Sequence, residues 1–225
     1  MLDEYEVVLT GTREVEGVKC LLTNRIVFTP ITHTLEYIDA LIFTSVYAIK
    51  SLIESASCNP HLARWIEIPS FVISEASAKA LYECGALVEY VGKKTQGKAF
   101  AAEICPLLKE RNPLYLRAKE IVSGLDSILQ SEGIKLEEVI AYENIPLDLH
   151  ISLKPPPHSV IIFTAPSSYH SFIKNFGWDS QYRAIAIGES TFAHFDTDIK
   201  AYISPSTSIS GCIAFAKELA LKSNL

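Results

Sequence analysis

The sequence predicts an α/β fold of two similar lobes, each built on a parallel sheet of the flavodoxin or Rossmann type, with one lobe inserted into the other. Three observations lead to this prediction. They are an internal repeat, an alternation of short apolar runs with helical periods, and two segments suited to connect the lobes. At 225 residues the chain has room for two domains of ordinary size.

The internal repeat is the strongest of these observations. Three pairs of segments match in the same order, at offsets of 120, 114 and 115 residues: 40–52 with 160–172, 71–81 with 185–195, and 99–103 with 214–218. A period this long is typical of a duplicated domain, because solenoid units are far shorter. Two similar lobes are expected to leave a cleft between them, and clefts between domains bind small molecules.

Short apolar runs predict the strands. They are 6–9, 25–28, 40–43, 70–73, 87–90, 113–116, 138–141, 160–163, 183–187 and 200–203. The runs are continuous rather than alternating, which indicates strands covered on both faces and hence parallel sheets between helices. The clearest helical periods cover Ser74–Cys84, which stops at Gly85, and Ser208–Leu221 at the end of the chain.

Two segments are candidates for connections between the lobes. One covers residues 29–35 and the other covers residues 144–158. The second contains Pro155, Pro156 and Pro157, a stiff and extended run that cannot continue a helix.

If both segments are connections, they form a hinge between two discontinuous parts of the fold. An outer lobe of residues 1–34 and 149–225 then holds an inserted lobe of residues 35–148. This arrangement requires Val7–Leu9 to pair in the same sheet as Ile161–Phe163.

Charge and hydropathy exclude two classes of partner. The net charge is −6, the sequence pI is about 5.5 and there is no basic run, so nucleic acid is not an expected partner. No apolar stretch approaches the roughly 20 residues that span a bilayer, so a membrane is not expected either. The acidic N-terminus lacks a secretory signal, which favours a cytoplasmic location.

The cysteines and histidines show no metal-ligand spacing. The five cysteines are scattered and odd in number, and the six histidines form no cluster with them. This pattern predicts reduced thiols in the cytoplasm and no metal site.

Small hydroxyl residues recur where strands pass into helices, whereas nucleophile elbows, Walker loops, GxGxxG and HExxH motifs are missing. The selected positions are Thr12, Thr44, Ser45, Ser77, Ser167, Ser168, Ser190 and Thr191. Carboxyl ends of parallel strands form the binding edge of such sheets, and helix N-termini there offer free N–H groups. The set therefore predicts an anionic ligand. For each single residue, the alternative is that it caps a helix.

The same parts of the chain resemble the uroporphyrinogen-III synthase family. The resemblance rests on Asp39–Ser45, Val139–Asn144, Val160–Ser167, Ala186–Thr191 and Ser204–Thr207, and it covers most of the chain. It implies a lyase of heme biosynthesis that closes the linear tetrapyrrole hydroxymethylbilane to uroporphyrinogen III with inversion of ring D. It implies neither a metal nor an organic cofactor.

The resemblance also implies roles for single residues. Tyr142 takes the family's tyrosine position and is the candidate acid that helps the terminal hydroxyl to leave. The alternative is a strand tyrosine that packs against its lobe with its hydroxyl at the rim. Ser77, Ser167, Ser190 and Thr191 match hydroxyl positions of the family and are assigned to substrate binding.

Two arginines complete the predicted binding set. Arg13 matches a position after the first strand where the family often has an arginine, and Arg117 follows strand 113–116, so each is a candidate partner for a substrate carboxylate. The alternative for both is a solvated surface arginine.

Two other function classes share a two-lobe architecture. One is a non-catalytic small-molecule binding protein, although a signal peptide and DNA-binding helices are both missing. The other is a glycosyltransferase, although the chain is small for one and has no phosphate loop. The resemblance implies a linear tetrapyrrole as the partner, and two hinged lobes are expected to form a monomer.

Overall fold

The computed structural model describes residues 5–94, 96–121 and 124–222. The chain divides into two compact units, which we name the outer lobe, Met1–Arg25 with Asn144–Leu225, and the inserted lobe, Ile26–Glu143.

The described residues form eleven strands and seven α-helices. The strands are β1 (Val7–Gly11), β2 (Lys19–Leu22), β3 (Asn24–Phe28), β4 (Ala40–Phe43), β5 (Ser70–Val72), β6 (Val88–Val91), β7 (Pro113–Ala118), β8 (Glu137–Pro146), β9 (Val160–Phe163), β10 (Arg183–Ala186) and β11 (Ala201–Ile203). The helices are α1 (Val46–Cys58), α2 (Glu75–Glu83), α3 (Gly97–Leu108), α4 (Leu125–Ser131), α5 (Pro166–Phe176), α6 (Glu189–Phe192) and α7 (Ile209–Lys222). Two 3₁₀ helices cover Pro60–Glu67 and Ile151–Leu153.

The two sheets have the same strand arrangement with different starting points in the chain. The outer sheet runs β11-β10-β9-β1-β2, and the inserted sheet runs β6-β5-β4-β7-β8 with β3 added at its edge. If β9, β10, β11, β1 and β2 of the outer sheet are numbered 1 to 5, the spatial order is 3-2-1-4-5. Numbering β4, β5, β6, β7 and β8 of the inserted sheet from 1 to 5 gives the same order. The outer sheet is therefore a circular permutation of the inserted one. This is expected for a duplicated domain when one copy is built from the N-terminal and C-terminal segments of the chain.

The predicted pairing between the two ends of the outer lobe is confirmed. Val8 lies opposite Ile161 and Leu9 opposite Ile162, in a parallel pairing of β1 with β9. The α/β class with parallel sheets is confirmed as well, since the described pairings within the two sheets are parallel.

Helices cover both faces of each sheet, which explains the continuous apolar runs. In the inserted lobe, α1 and α2 pack on one face and α3 and α4 on the other. In the outer lobe, α5 lies on one face and α7 on the other. All four residues of β4 and all four of β9 are completely buried, because side chains on both faces of a central strand are covered.

The structure corrects the placement of one predicted strand. The strand predicted at 25–28 was expected in the outer lobe, but β3 lies beside β8 at the edge of the inserted sheet. The chain that follows it also packs on the inserted lobe: Ile31 and Leu35 are buried in its core, and Thr29 N donates to Ala141 O at 2.9 Å. The division at 25/26 therefore precedes the connection expected at 29–35.

The second expected connection, residues 144–158, is anchored on the outer lobe. Leu149 N donates to Asn175 Oδ1 at 2.7 Å, and the hydroxyl of Tyr182 donates to the carbonyl of Pro155. The division at 143/144 therefore lies at the start of this segment.

One strand was missed in the sequence. β2 begins with exposed Lys19, and only Leu21 among its four residues is buried. An edge strand of this kind carries too little apolar character to stand out from a loop.

Candidate functional site

Each sheet contains one point at which the chain connections reverse direction. This point lies between β4 and β7 in the inserted sheet and between β9 and β1 in the outer sheet. Ligands of open α/β sheets bind outside the carboxyl ends of the strands at such points. Predicted residues lie at the ends of these strands: Thr44, Ser45 and Arg117 in the inserted lobe, and Thr12, Arg13, Ser167 and Ser168 in the outer lobe.

The end of β4 carries two partly exposed hydroxyls. Thr44 Oγ1 shares a hydrogen bond of 2.9 Å with the hydroxyl of Tyr115. Ser45 caps α1, its Oγ accepting from Tyr47 N at 3.1 Å. Because that contact uses only a lone pair of the oxygen, the hydroxyl proton of Ser45 can still be donated.

Tyr142 lies on β8, two strands from β4 in the same sheet. It is partly buried against the core of the inserted lobe, and its ring centroid lies 5.7 Å from that of Tyr47. Burial raises the pKa of Tyr142 above its usual value, a hydrogen bond with Ser45 partly offsets the rise, and Tyr47 adds to it. The phenol is therefore protonated at neutral pH and can act as a proton donor.

Arg117 is bound to a carboxylate of the protein itself. Its Nε donates to Glu138 Oε2 at 2.6 Å, and Nη1 donates to the carbonyl oxygens of Ala118 and Lys119 at 2.9 and 3.1 Å. These contacts support a structural role. Its predicted role in substrate binding stays a prediction.

Ser77 is part of the cap at the start of α2. Ser74 Oγ accepts from Ser77 N at 3.3 Å and shares a 3.2 Å hydrogen bond with Ser77 Oγ. Ser77 is buried as well. Its surroundings therefore match the capping alternative, and its predicted contact with substrate stays a prediction.

Ser167 and Ser168, at the start of α5, have different surroundings. Ser167 is partly exposed, and its Oγ accepts from Asn144 Nδ2 at 3.0 Å. Ser168 is buried, and its Oγ donates to Ala165 O at 2.8 Å while accepting from Ala165 N at 3.4 Å. The hydroxyl of Ser168 is thus used within the helix start.

Ser190 and Thr191 lie in α6, a single turn after β10. Ser190 is exposed, whereas Thr191 is buried and its N donates to Gly188 O at 3.1 Å. Of this predicted pair, Ser190 has the side chain that a ligand can reach.

Thr12 and Arg13 follow β1 directly. Thr12 is half-buried and Arg13 is exposed. Arg13 lines an open depression of about 460 Å³ on the outer lobe together with Glu14, Glu16 and Lys217. Two acidic and two basic side chains leave this depression without a net charge.

The sequence did not single out Asn144 as a site residue. The available signal was its position two residues after Tyr142, in a segment already selected for its resemblance. Its partner Ser167 lies 23 residues away in the sequence, and a contact at that separation has no local sequence pattern.

Two structural features are missing from the part of the chain that is described. No three or more histidine, cysteine or acidic side chains there are grouped to hold a metal ion. None of the helices in residues 5–94, 96–121 and 124–222 is both long enough and apolar enough to cross a membrane.

Comparisons with solved structures give the same two-lobe fold. The uroporphyrinogen-III synthetase of Helicobacter pylori is 34% identical, with a TM-score of 0.83 over 96% of this chain and 99% of that chain. A mutant uroporphyrinogen III synthase of Thermus thermophilus is 15% identical, with a TM-score of 0.68 over 97% and 99% of the two chains. The wild-type Thermus protein is 16% identical, with a TM-score of 0.53 over 97% and 98%.

Sequence comparisons identify the protein family to which the chain belongs. A comparison with curated proteins found no match. The family model described as uroporphyrinogen-III synthase HemD matches residues 10–214. With the Helicobacter structure at 34% identity over nearly the whole of both chains, this match shows that the chain belongs to the uroporphyrinogen-III synthase family, enzymes of heme biosynthesis that act on a tetrapyrrole.

Proposed function

We propose that this enzyme closes linear hydroxymethylbilane to uroporphyrinogen III with inversion of ring D, and that Tyr142 is its general acid. One observation carries the proposal. A partly buried phenol lies at the carboxyl end of the inserted sheet, opposite Ala118 at the end of β7 and with its ring 5.7 Å from that of Tyr47, and burial raises its pKa. A protonated donor of this kind suits a reaction that begins with the loss of a hydroxyl group.

The substrate is a polyanion, because its pyrrole rings carry carboxylate side chains. The chain itself has a net charge of −6, so attraction by the overall field does not bring the two together. Local hydrogen-bond donors must bind the substrate carboxylates instead. Backbone N–H groups at helix starts and nearby hydroxyls bind carboxylates without a basic surface.

The exposed members of the predicted set are the best candidates for this task. Ser45, Ser167 and Ser190 are partly or fully exposed at strand ends, which supports contact with substrate carboxylates. Thr12, Thr44 and Arg13 are accessible at the same edges. The predicted Ser77, Ser168 and Thr191 are buried, and each bonds within the start of its own helix.

The proposed reaction begins at the terminal hydroxymethyl group. Tyr142 donates its proton as the C–O bond breaks, so that water leaves and an azafulvenium cation remains. The hydrogen bond from Ser45 stabilises the phenolate that forms. The substituted carbon of ring D then attacks the cation to give a spiro intermediate, which fragments and recloses with ring D inverted. The proton lost from the pyrrole carbon in the last closure restores the phenol.

The enzyme must also outpace the uncatalysed closure, which gives the type I isomer. Holding the linear chain folded, with ring D turned toward the cation, is worth more here than any single proton transfer. Donors at strand ends are suited to hold carboxylates of the linear chain.

We further propose that the enzyme is a cytoplasmic monomer without nucleic-acid or membrane partners. The five free cysteines support a reducing compartment. The negative net charge supports the lack of a nucleic-acid partner.

The test of this function is a coupled assay with freshly generated hydroxymethylbilane, in which oxidised type I and type III uroporphyrins are separated. Mainly type III product is expected. Only type I product, formed at the uncatalysed rate by protein with a normal unfolding transition, would contradict the proposal. Heat-unfolded protein is the matched control.

A further inference from the structure

Asn144 combines two features that set it apart from the other polar residues of the outer lobe. Its Nδ2 donates to Ser167 Oγ at 3.0 Å. Its Oδ1 is buried and has no hydrogen-bond partner, and it is the one such side-chain atom in residues 5–94, 96–121 and 124–222. Buried polar atoms are nearly always paired, so an exception needs an explanation.

The single contact of the Asn144 carboxamide fixes the direction of a proton. A serine hydroxyl has one proton to donate and two lone pairs that accept. Since the N–H of Asn144 takes a lone pair of Ser167, the hydroxyl proton must point away from Asn144. The bond from Asn144 is the one hydrogen bond of the Ser167 hydroxyl within residues 5–94, 96–121 and 124–222, so its proton can be donated to a ligand.

The dependence is mutual. Because Oδ1 has no partner, Ser167 alone among hydrogen-bonding groups holds the carboxamide in its orientation. Removing either residue therefore removes the hydrogen bond that orients both the carboxamide of Asn144 and the hydroxyl of Ser167. Two residues that act as one unit give non-additive effects in a double-mutant cycle.

We propose that Asn144 is a positioning residue for substrate binding, which turns the Ser167 hydroxyl so that it donates to a carboxylate of the tetrapyrrole. This inference rests on the proposed function. An amide suits the task because its N–H can only donate. A carboxylate at the same position would accept the serine proton and would repel the anionic substrate.

The first experiment is a cycle of Asn144→Ala, Ser167→Ala and the double variant, with KM and kcat measured for type III formation. Ser167→Ala is expected to raise KM about tenfold, since it removes a hydrogen bond to a charged group. Asn144→Ala should raise KM about three- to tenfold, and the double variant no more than Ser167→Ala alone. Effects on KM that multiply in the double variant would overturn the inference.

The second experiment is Asn144→Asp, which keeps the shape of the side chain and inverts its hydrogen bonding. KM should rise at least as much as in Asn144→Ala, with kcat within about threefold of wild type. A wild-type KM for Asn144→Asp would overturn the inference. A purely structural role would lower the unfolding temperature and the active fraction in both variants, and would leave KM unchanged.

The experiments distinguish a wrong proposed function from a wrong role for Asn144. If the wild-type chain forms no type III product, the proposed function fails and this inference with it. If the wild-type chain forms type III product and the cycle is additive, only the role of Asn144 fails.

Discussion

The ring of Tyr142 packs against the ring of Tyr47, with centroids 5.7 Å apart and planes inclined by 57°. Tyr47 is in the first turn of α1, and its N–H binds the Ser45 hydroxyl that caps this helix. The helix start thus supplies both a packing partner and a polar partner for Tyr142. This arrangement holds the phenol in place and keeps it protonated.

The raised pKa of Tyr142 predicts the alkaline behaviour of the reaction. Burial moves this pKa above its usual value of 10.0, and the acid is active only while protonated. Loss of the proton therefore falls above pH 10, and kcat for type III formation should stay constant between about pH 7 and 9. A decline within that interval that disappears in Tyr142→Phe would contradict the assignment.

Ser168 and Ser190 should respond to truncation in opposite ways. Ser168→Ala removes a buried hydroxyl that bonds back to the N-cap residue Ala165, and it should lower the free energy of unfolding by about 0.5–2 kcal/mol with KM unchanged. Ser190→Ala changes an exposed position and should alter stability by less than about 0.5 kcal/mol while raising KM. Denaturant unfolding and the isomer assay measure both effects. The same KM for both variants would mean that exposure does not decide which hydroxyls bind substrate.

Loss of the Arg117–Glu138 pair should affect stability rather than binding. The two side chains are 20% and 23% exposed and lie 2.6 Å apart. Arg117→Gln should lower the free energy of unfolding by about 1–3 kcal/mol and leave KM within twofold of wild type.

The matched control for this prediction is Lys119→Gln. The pair of Lys119 with Glu143 is 56% and 38% exposed, and its loss should cost less than about 1 kcal/mol. A tenfold rise in KM for a stably folded Arg117→Gln variant would show instead that Arg117 binds substrate.

Two buried tyrosines should make the outer lobe sensitive to alkali. Burial raises the pKa of both Tyr169 and Tyr182 to about 12. Between pH 10 and 12 the unfolded chain has lost these protons while the folded chain retains them, so stability is full below pH 10 and falls as the pH rises. Tyr182→Phe should weaken this pH dependence of the unfolding temperature.

The control for the alkaline effect is Tyr37→Phe, since Tyr37 is 74% exposed. This variant should keep the wild-type pH dependence. An equal change in both variants would mean that burial of Tyr182 does not cause the alkaline loss of stability.

The sequence was sufficient to predict the fold class because the central strands carry a strong local signal. β4 and β9 are completely buried and therefore continuously apolar, and their resemblance to each other revealed the duplication. β3 was assigned to the wrong lobe because its neighbour in the sheet, β8, lies far away in sequence. A strand's own residues do not specify which sheet it joins.

The candidate site could be predicted only in part, for a similar reason. Hydroxyls at strand ends follow from local pattern, so the positions of Ser45 and Ser167 could be chosen from the sequence. Their partners could not, because the contacts of Ser167 with Asn144 and of Arg117 with Glu138 join residues 23 and 21 positions apart. Such pairs depend on strand order and register, which come from the packing of the whole sheet.

The most direct test of the central claim is the rate of type III formation by Tyr142→Phe, measured beside Tyr47→Phe. If Tyr142 is the acid, its variant should be slower by about one to three orders of magnitude with an unchanged unfolding temperature. Tyr47→Phe keeps the ring contact and should stay within about threefold of wild type. Wild-type turnover by folded Tyr142→Phe would contradict the claim and leave this tyrosine with a packing role alone.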